Sequence, residues 1–246
     1  YWNGAGVWVR KRKPGQTEME YQMRNWYYFN WICGDHIVEQ HIHNLDVANW
    51  FLNEYPISAQ GMGGRQVRNG KDHGEIFDHH FVEFTYDSGA VISSQCRHQP
   101  GCMRKVDETF QGTQGSVNTG QGKLTDLEGN EMFKYKAGLK TKSSGPSKSK
   151  TDPFSEPNPY QVEHDQLFAS IRNGGLIADA ENGAKSTLTA IMGRMATYSG
   201  KVITWDQAMN SNFQIMPESV DWNSNPPTMP DSNGMYPIPT PGITEF

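Results

Sequence analysis

Hydrophobic positions recur along this chain with two periods, and the switches between them mark out its elements. In GDHIVEQHIHNLDVANW, from Gly34 to Trp50, the apolar residues Val38, Ile42 and Leu45, followed by Leu52, fall on one arc at 100° per residue and predict a single helix. Around Asp87-Ser88-Gly89 the period becomes two: Phe81, Glu83 and Thr85 alternate with Val82, Phe84 and Tyr86, and Ala90 to Cys96 resumes as a second strand, so a hairpin is predicted. Thr109 to Val117 and Lys123 to Tyr135 add short strands, with Glu128-Gly129-Asn130 as a tight connection, and Tyr1 to Val9 is aromatic and β-branched enough for another. Pro159 to Asn173, stopped by Gly174-Gly175, and Asp179 to Tyr198, stopped by Ser199-Gly200, predict two more helices, the second packing Met192, Met195 and Ala196 into the core. Successive hairpins imply an α+β fold. Its large, mostly antiparallel sheet has helices on one face and the other face free for solvent or a second subunit.

Composition sets the boundaries. Residues 137–159, with KTKSSGPSKSK at their centre, have little to bury and are expected as a mobile loop inside a body of residues 1–216, and residues 217–246, rich in Pro, Asn and Ser, as a wrapping arm or frayed tail. With 22 basic against 27 acidic residues and a pI near 5.9, no general attraction to nucleic acid or anionic membranes is expected. No apolar run approaches the ~20 residues that span a bilayer. Tyr1 does not open a secretory signal, so the compartment stays open: cytoplasmic, or periplasmic if an upstream export signal was removed. Cys33, Cys96 and Cys102 contain no CxxC pair, which favours reduced thiols over a Cys96–Cys102 bridge.

The candidate chemistry lies on the first helix. Read as one helix, it puts His36, Glu39, His43 and Asp46 within roughly 80° of one another. A carboxylate one turn before an imidazole can orient it or share its proton, which makes an acid/base station, although the same pair also occurs on ordinary solvated helix faces. Three histidines in eight residues also suit zinc, yet the spacing matches neither HExxH nor HxxEH and His41 points about 140° from His36, so no metal is expected. Arg24, among the aromatics of Tyr21 to Trp31, is a candidate substrate contact beside a core-building reading of the same segment. Arg97 at a strand end, and Tyr160 and His164 at a helix entry, are further candidates, with surface ion pairing and helix capping as the alternatives. RKRKPG from Arg10 reads as a solvated loop, and GMGGRQ at Gly61 as a turn or strand bulge because no βαβ unit surrounds it.

GDHIVEQHIHNLDVANWF resembles the G-x(4)-D-x(3)-H-x(2)-D helix in the second domain of the glucose-fructose oxidoreductase and inositol dehydrogenase-like proteins, the Gfo/Idh/MocA family. Gly34 stands at the glycine, Glu39 at the usual aspartate, His43 at the histidine and Asp46 at the trailing aspartate. Further similar blocks are DHHFVEFTYDSGAVISSQCR, FQGTQGSVN, YQVEHDQLFASIRNG and AKSTLTAIMGRMATYSGKVITWDQA. The resemblance implies that His43 and Glu39 are catalytic, with the histidine as proton donor or acceptor during hydride transfer; His36, Asp46, Arg24, Arg97, Tyr160 and His164 are then the candidate contacts of a sugar, cyclitol or polyol. It implies NAD or NADP, bound mainly by an N-terminal Rossmann domain absent from these residues together with the lysine of the family's E-K-P motif. A homodimer or larger assembly through the sheet face is implied too. Two other readings share the same residues: a redox-assisted glycoside hydrolase or lyase of the same family, and a noncatalytic carbohydrate-binding or assembly module.

Overall fold

The computed structural model describes residues 1–135 and 158–246, and the loop expected over residues 137–159 lies, up to residue 157, outside the described residues. In chain order the elements are β1 (Trp2–Gly4), α1 (Glu18–Arg24), α2 (Asn30–Cys33), α3 (His36–Glu39), α4 (Ile42–Leu52), β2 (Pro56–Gly64), β3 (His79–Tyr86), β4 (Val91–His98) and β5 (Lys105–Val106). There follow β6 (Thr109–Gly112), β7 (Gly115–Asn118), β8 (Lys123–Thr125), β9 (Glu131–Lys134), α5 (Pro159–Asn173), α6 (Ala180–Ser199), β10 (Ile203–Thr204) and α7 (Trp205–Met209). They divide into two compact units, residues 1–108 with 182–246, and residues 109–181. The strands after Glu108 form a sheet of their own, and the arm, residues 217–246, falls in the first unit.

The first unit holds a six-stranded sheet in the order β10-β2-β3-β4-β1-β5, antiparallel except where β1 runs parallel to β4. The strand expected over Tyr1 to Val9 is confined to Trp2–Gly4. In β3 the side chains of His80, Val82, Phe84 and Tyr86 are buried while His79, Phe81, Glu83 and Thr85 are only partly so, as the alternation predicts. Val82, Phe84 and Tyr86 pack with Ile37 of α3, Leu45 of α4 and Met192, Met195 and Ala196 of α6, and each large apolar side chain so buried contributes about 1.5–3 kcal/mol. Helices therefore cover one sheet face.

A second cluster joins Met19 and Tyr21 of α1 to Tyr27, Tyr28, Phe29, Trp31 and Ile76. The capping box of Thr17 and Glu20 starts α1 and so fixes how these aromatics enter the core. The arm wraps this cluster: Tyr236 is buried within it, and Gln22 Nε2 donates to the Thr228 carbonyl at 2.7 Å. Cys33 and Cys96 are buried, Cys102 is exposed, and all three are free. No helix among the described residues is long and apolar enough to cross a membrane.

The second unit contains the antiparallel sheet β6-β7-β8-β9, and α5. Helix α5 keeps its predicted bounds, with the Asn158 side chain accepting from Tyr160 N–H at the start and Gly174 in the left-handed conformation at the end.

Candidate active site

The segment read as one helix is broken, and the break decides where its imidazoles point. Helix α2 ends at Gly34 (φ 73°), where a Cβ would come within 2.9 Å of Val38, and Asp35 then takes φ 73°, ψ 160°, a region that side chains other than glycine rarely occupy. Asp35 caps α3 with its own carboxylate, which accepts His36 N–H. A second discontinuity separates Glu39 from Ile42. These corners reset the phase of the helical wheel, so His36, expected on the same side as His43, is fully buried, whereas His43 in the first turn of α4 is exposed.

Asp35 is the hub of a buried polar network. Its Oδ1 accepts His36 Nδ1–H at 2.7 Å, and its Oδ2 accepts Phe77 N–H at 2.9 Å and the Tyr198 hydroxyl at 2.6 Å, with His80 Nε2 at 3.3 Å. Burial alone would raise the Asp35 carboxyl; His80 and His36 beside it outweigh that effect and hold it well below the usual carboxylate range. Burial pushes the His36 imidazole down to about 4, against the pull of Asp35. Its Nε2 is buried without a hydrogen-bond partner, between the rings of His98 and His80, whose centroids lie 4.7 and 4.8 Å away. His80 Nδ1–H is directed to Thr197 Oγ1 at 2.9 Å, because that hydroxyl gives its own proton to helix carbonyls.

From this hub the network runs outward through His98. Arg68 Nη2 donates to His98 Nδ1 at 2.5 Å and His98 Nε2 meets Gln40 Oε1 at 2.9 Å, a pairing that requires the proton on Nε2. Burial, with His36 and Arg68 next, lowers this imidazole to about 2. Arg68 is itself held where Asp78 Oδ2 accepts three successive backbone N–H groups, from Gln66, Val67 and Arg68. Burial would raise the Asp78 carboxyl, but the bond from His79 and these three donors keep it far below its ordinary value. Gln40 Oε1 also accepts the Trp2 indole N–H at 2.8 Å, and the Trp2 ring stacks on His43 with centroids 5.6 Å apart and planes at 29°. Nearby, Glu39 Oε2 and the Tyr27 hydroxyl are buried with no hydrogen bond; burial first, and the Glu39 charge second, raise the Tyr27 phenol. The other imidazole of the segment, His41, is buried and committed, to Asn44 Oδ1 at 3.1 Å and Ser94 Oγ at 2.6 Å.

The remaining sequence candidates separate. Asp46 accepts Ser186 Oγ at 2.6 Å and so ties α4 to α6. Arg24 donates to the Lys11 carbonyl at 2.8 Å and Arg97 to the Met103 carbonyl at 3.3 Å. Tyr160 and His164 are exposed on α5 in the other unit, where His164 Nδ1 meets the Tyr160 carbonyl at 2.7 Å. Sequence reasoning did not single out Asp35, Arg68, Asp78, His80, Tyr198, Trp2 or Gln40 as functional; the Asp-His and Asp-His-His runs at Asp35 and Asp78 were the available signal.

Asp35, His36 and His80 place one ligand atom each within 4.8 Å of one another. The donor set nevertheless suits a hydrogen-bonded hub better than a cation: both Asp35 oxygens already accept from N–H or O–H groups, and the positive charges of Arg68 and Arg194 act on the same cluster. The glycines at 61–64 do not fit a pyrophosphate cradle. They lie in β2, where a Cβ on Gly61 would meet the Phe81 carbonyl at 2.4 Å and one on Gly63 the His79 carbonyl at 2.7 Å, so they serve close strand approach.

Residues 7–204 match the family model described as "Oxidoreductase family, C-terminal alpha/beta domain". Among solved structures, the chain is similar to an oxidoreductase from Thermotoga maritima (TM-score 0.54, 13% identity, covering 84% of this chain and 53% of that one). It is similar also to the aldose-aldose oxidoreductase from Caulobacter crescentus complexed with glycerol (TM-score 0.53, 16% identity, 82% and 53%). A third is GenD2 from gentamicin A biosynthesis in complex with NAD (TM-score 0.50, 12% identity, 73% and 50%). At these identities the likeness is one of fold. The chain spans about half the length of the structures it matches. No curated protein matches it.

Proposed function

Because the chain belongs to the oxidoreductase family, as its C-terminal alpha/beta domain, we propose that it is the substrate-binding part of an NAD(P)-dependent oxidoreductase acting on a sugar, cyclitol or polyol, with His43 as the acid/base. One observation carries the reading: of the three imidazoles between Gly34 and Trp50, His36 and His41 are sealed in the interior and His43 alone is exposed. The dinucleotide, NAD or NADP, supplies the hydride acceptor and is assigned to a further domain, since the glycines at 61–64 do not cradle it. His43 takes the proton of the carbinol hydroxyl as its carbon is oxidised, and returns it in the reverse direction. Glu39 Oε2, buried and unpaired, accepts a hydroxyl of the same substrate. That a relative of this fold was solved with glycerol agrees with a polyhydroxylated ligand.

In the same reading the outer face of the six-stranded sheet, where Met62 is 75% and Val91 57% exposed, is the surface for homodimer or larger assembly. The reading is tested by incubating the natural full-length protein with NAD or NADP and a panel of sugars and polyols. Reduced nicotinamide should accumulate with at least one of them and fail to do so in His43→Ala. Release of an aglycone without net cofactor reduction would replace it with redox-assisted glycoside cleavage.

A further inference from the structure

The indole of Trp2 faces the one exposed imidazole of the segment, and everything else about Trp2 is fixed. Its backbone pairs with Cys96 of β4 on one side and Val106 of β5 on the other, its ring packs against the main core cluster, and its N–H donates to Gln40 Oε1. Gln40 in turn has no freedom to flip: an indole N–H is a donor only, and His98 Nε2–H donates to the same oxygen because Arg68 occupies Nδ1. The Gln40 backbone carbonyl also accepts His43 N–H at 3.2 Å. One residue thus holds the helix start that carries His43 and the wall against which its ring lies.

We infer that Trp2 and Gln40 are positioning residues for His43, fixing the plane of its imidazole by stacking and connecting it to the buried Arg68–His98 pair. The inference rests on His43 being the acid/base. Its physical sense lies in what stacking leaves free. A carboxylate or carbonyl partner would orient the ring by occupying one nitrogen, whereas an aromatic face orients it through its plane. Among the described residues no side chain hydrogen-bonds either ring nitrogen of His43, so one stays available to a substrate hydroxyl and the other to solvent or a returning proton. Proton transfer needs donor and acceptor within about 2.6–3.2 Å, and a ring free to turn about its χ angles meets that condition only part of the time.

The test combines a spectroscopic readout on this chain with turnover of the natural full-length protein. In wild type, the His43 ring protons, assigned with His43→Ala, should resonate upfield of solvent-exposed imidazoles under the ring current of Trp2. Trp2→Leu should abolish that displacement, and Trp2→Phe should keep part of it. Gln40→Met, which removes the shared acceptor and leaves the strand residue intact, should move the Trp2 indole N–H resonance and reduce the displacement, so the inference stays testable if Trp2→Leu does not fold. In the full-length protein, Trp2→Leu should lower kcat roughly ten- to a hundredfold with KM changed by less than about twofold, and Trp2→Phe should recover most of the loss. Unchanged His43 ring resonances in a folded Trp2→Leu or Gln40→Met chain overturn the positioning role, whatever His43→Ala does. If those resonances move as expected while His43→Ala retains full turnover, the stacking stands and the acid/base assignment falls.

Discussion

Asp35 Oδ2 accepts the Tyr198 hydroxyl at 2.6 Å, which fastens the corner between α2 and α3 to the last turn of α6 across 163 positions of sequence. Asp35 keeps a positive φ that ordinary residues avoid, at a cost of about 1–3 kcal/mol, so the bonds to its carboxylate must outweigh that strain.

Asp35→Asn tests this directly, because asparagine keeps the shape of aspartate and changes only the charge and one acceptor. It should destabilise the chain by about 3 kcal/mol, since the buried donors lose their anion, and Tyr198→Phe by about 1.5–3 kcal/mol. Urea denaturation supplies both values. A loss below about 0.5 kcal/mol for Asp35→Asn would mean that the hub is not held by charge.

Stability should fall as the solution is acidified through a window set by the buried histidines. His36 and His98 are held at about 4 and about 2, below the ordinary 6.5, so the unfolded chain takes up protons there that the fold refuses. The fold is therefore most stable above pH 6.5 and weakens as pH drops below it. Each group adds a slope of up to about 1.4 kcal/mol per pH unit, which levels off for His36 near 4 and continues for His98 toward 2. Asp35 acts in the same direction but later: held below its ordinary 3.8, it gives up its contribution only as pH falls through and below that value. Urea midpoints measured at about pH 7.5, 6 and 5 should decline, and less steeply in His98→Gln. A flat profile would contradict the burial of these rings.

The break at Gly34 and Asp35 also marks what was legible in the sequence. The β3–β4 hairpin, α5 with its stop at Gly174, and the core role of Met192, Met195 and Ala196 were readable because period and stop signals are local. A strict 100° wheel failed for His36 because a left-handed glycine followed by a positive-φ aspartate turns the chain between helices, and periodicity carries no trace of that. The hub was out of reach for another reason: Asp35, His80 and Tyr198 are joined by tertiary packing between distant elements. His43 is the candidate whose exposure the wheel anticipated, and the wall behind it, Trp2, came from a strand that sequence made longer than it is.

Asp46 now has a structural partner. Asp46→Ala should cost about 1–2 kcal/mol of stability by leaving Ser186, which is buried, without its acceptor. Asp46→Asn, which retains an acceptor oxygen, should cost less than half of that. Equal losses in the two variants would show that the bond from Ser186 does not brace α4 against α6.

The arm should contribute to the fold it wraps. Tyr236 is 5% exposed, meets Phe29 edge-on at 4.9 Å and hydrogen-bonds Glu18, so Tyr236→Ala should lose about 3–5 kcal/mol and make the arm the first site of proteolytic nicking. A variant as stable and as protease-resistant as wild type would make the arm dispensable.

The central claim is that His43 handles the proton, and single-turnover hydride transfer in the natural full-length protein, at saturating substrate, tests it most directly. His43→Ala should slow the transfer step about 10²- to 10⁴-fold while substrate still binds. A transfer rate within about twofold of wild type would contradict the account.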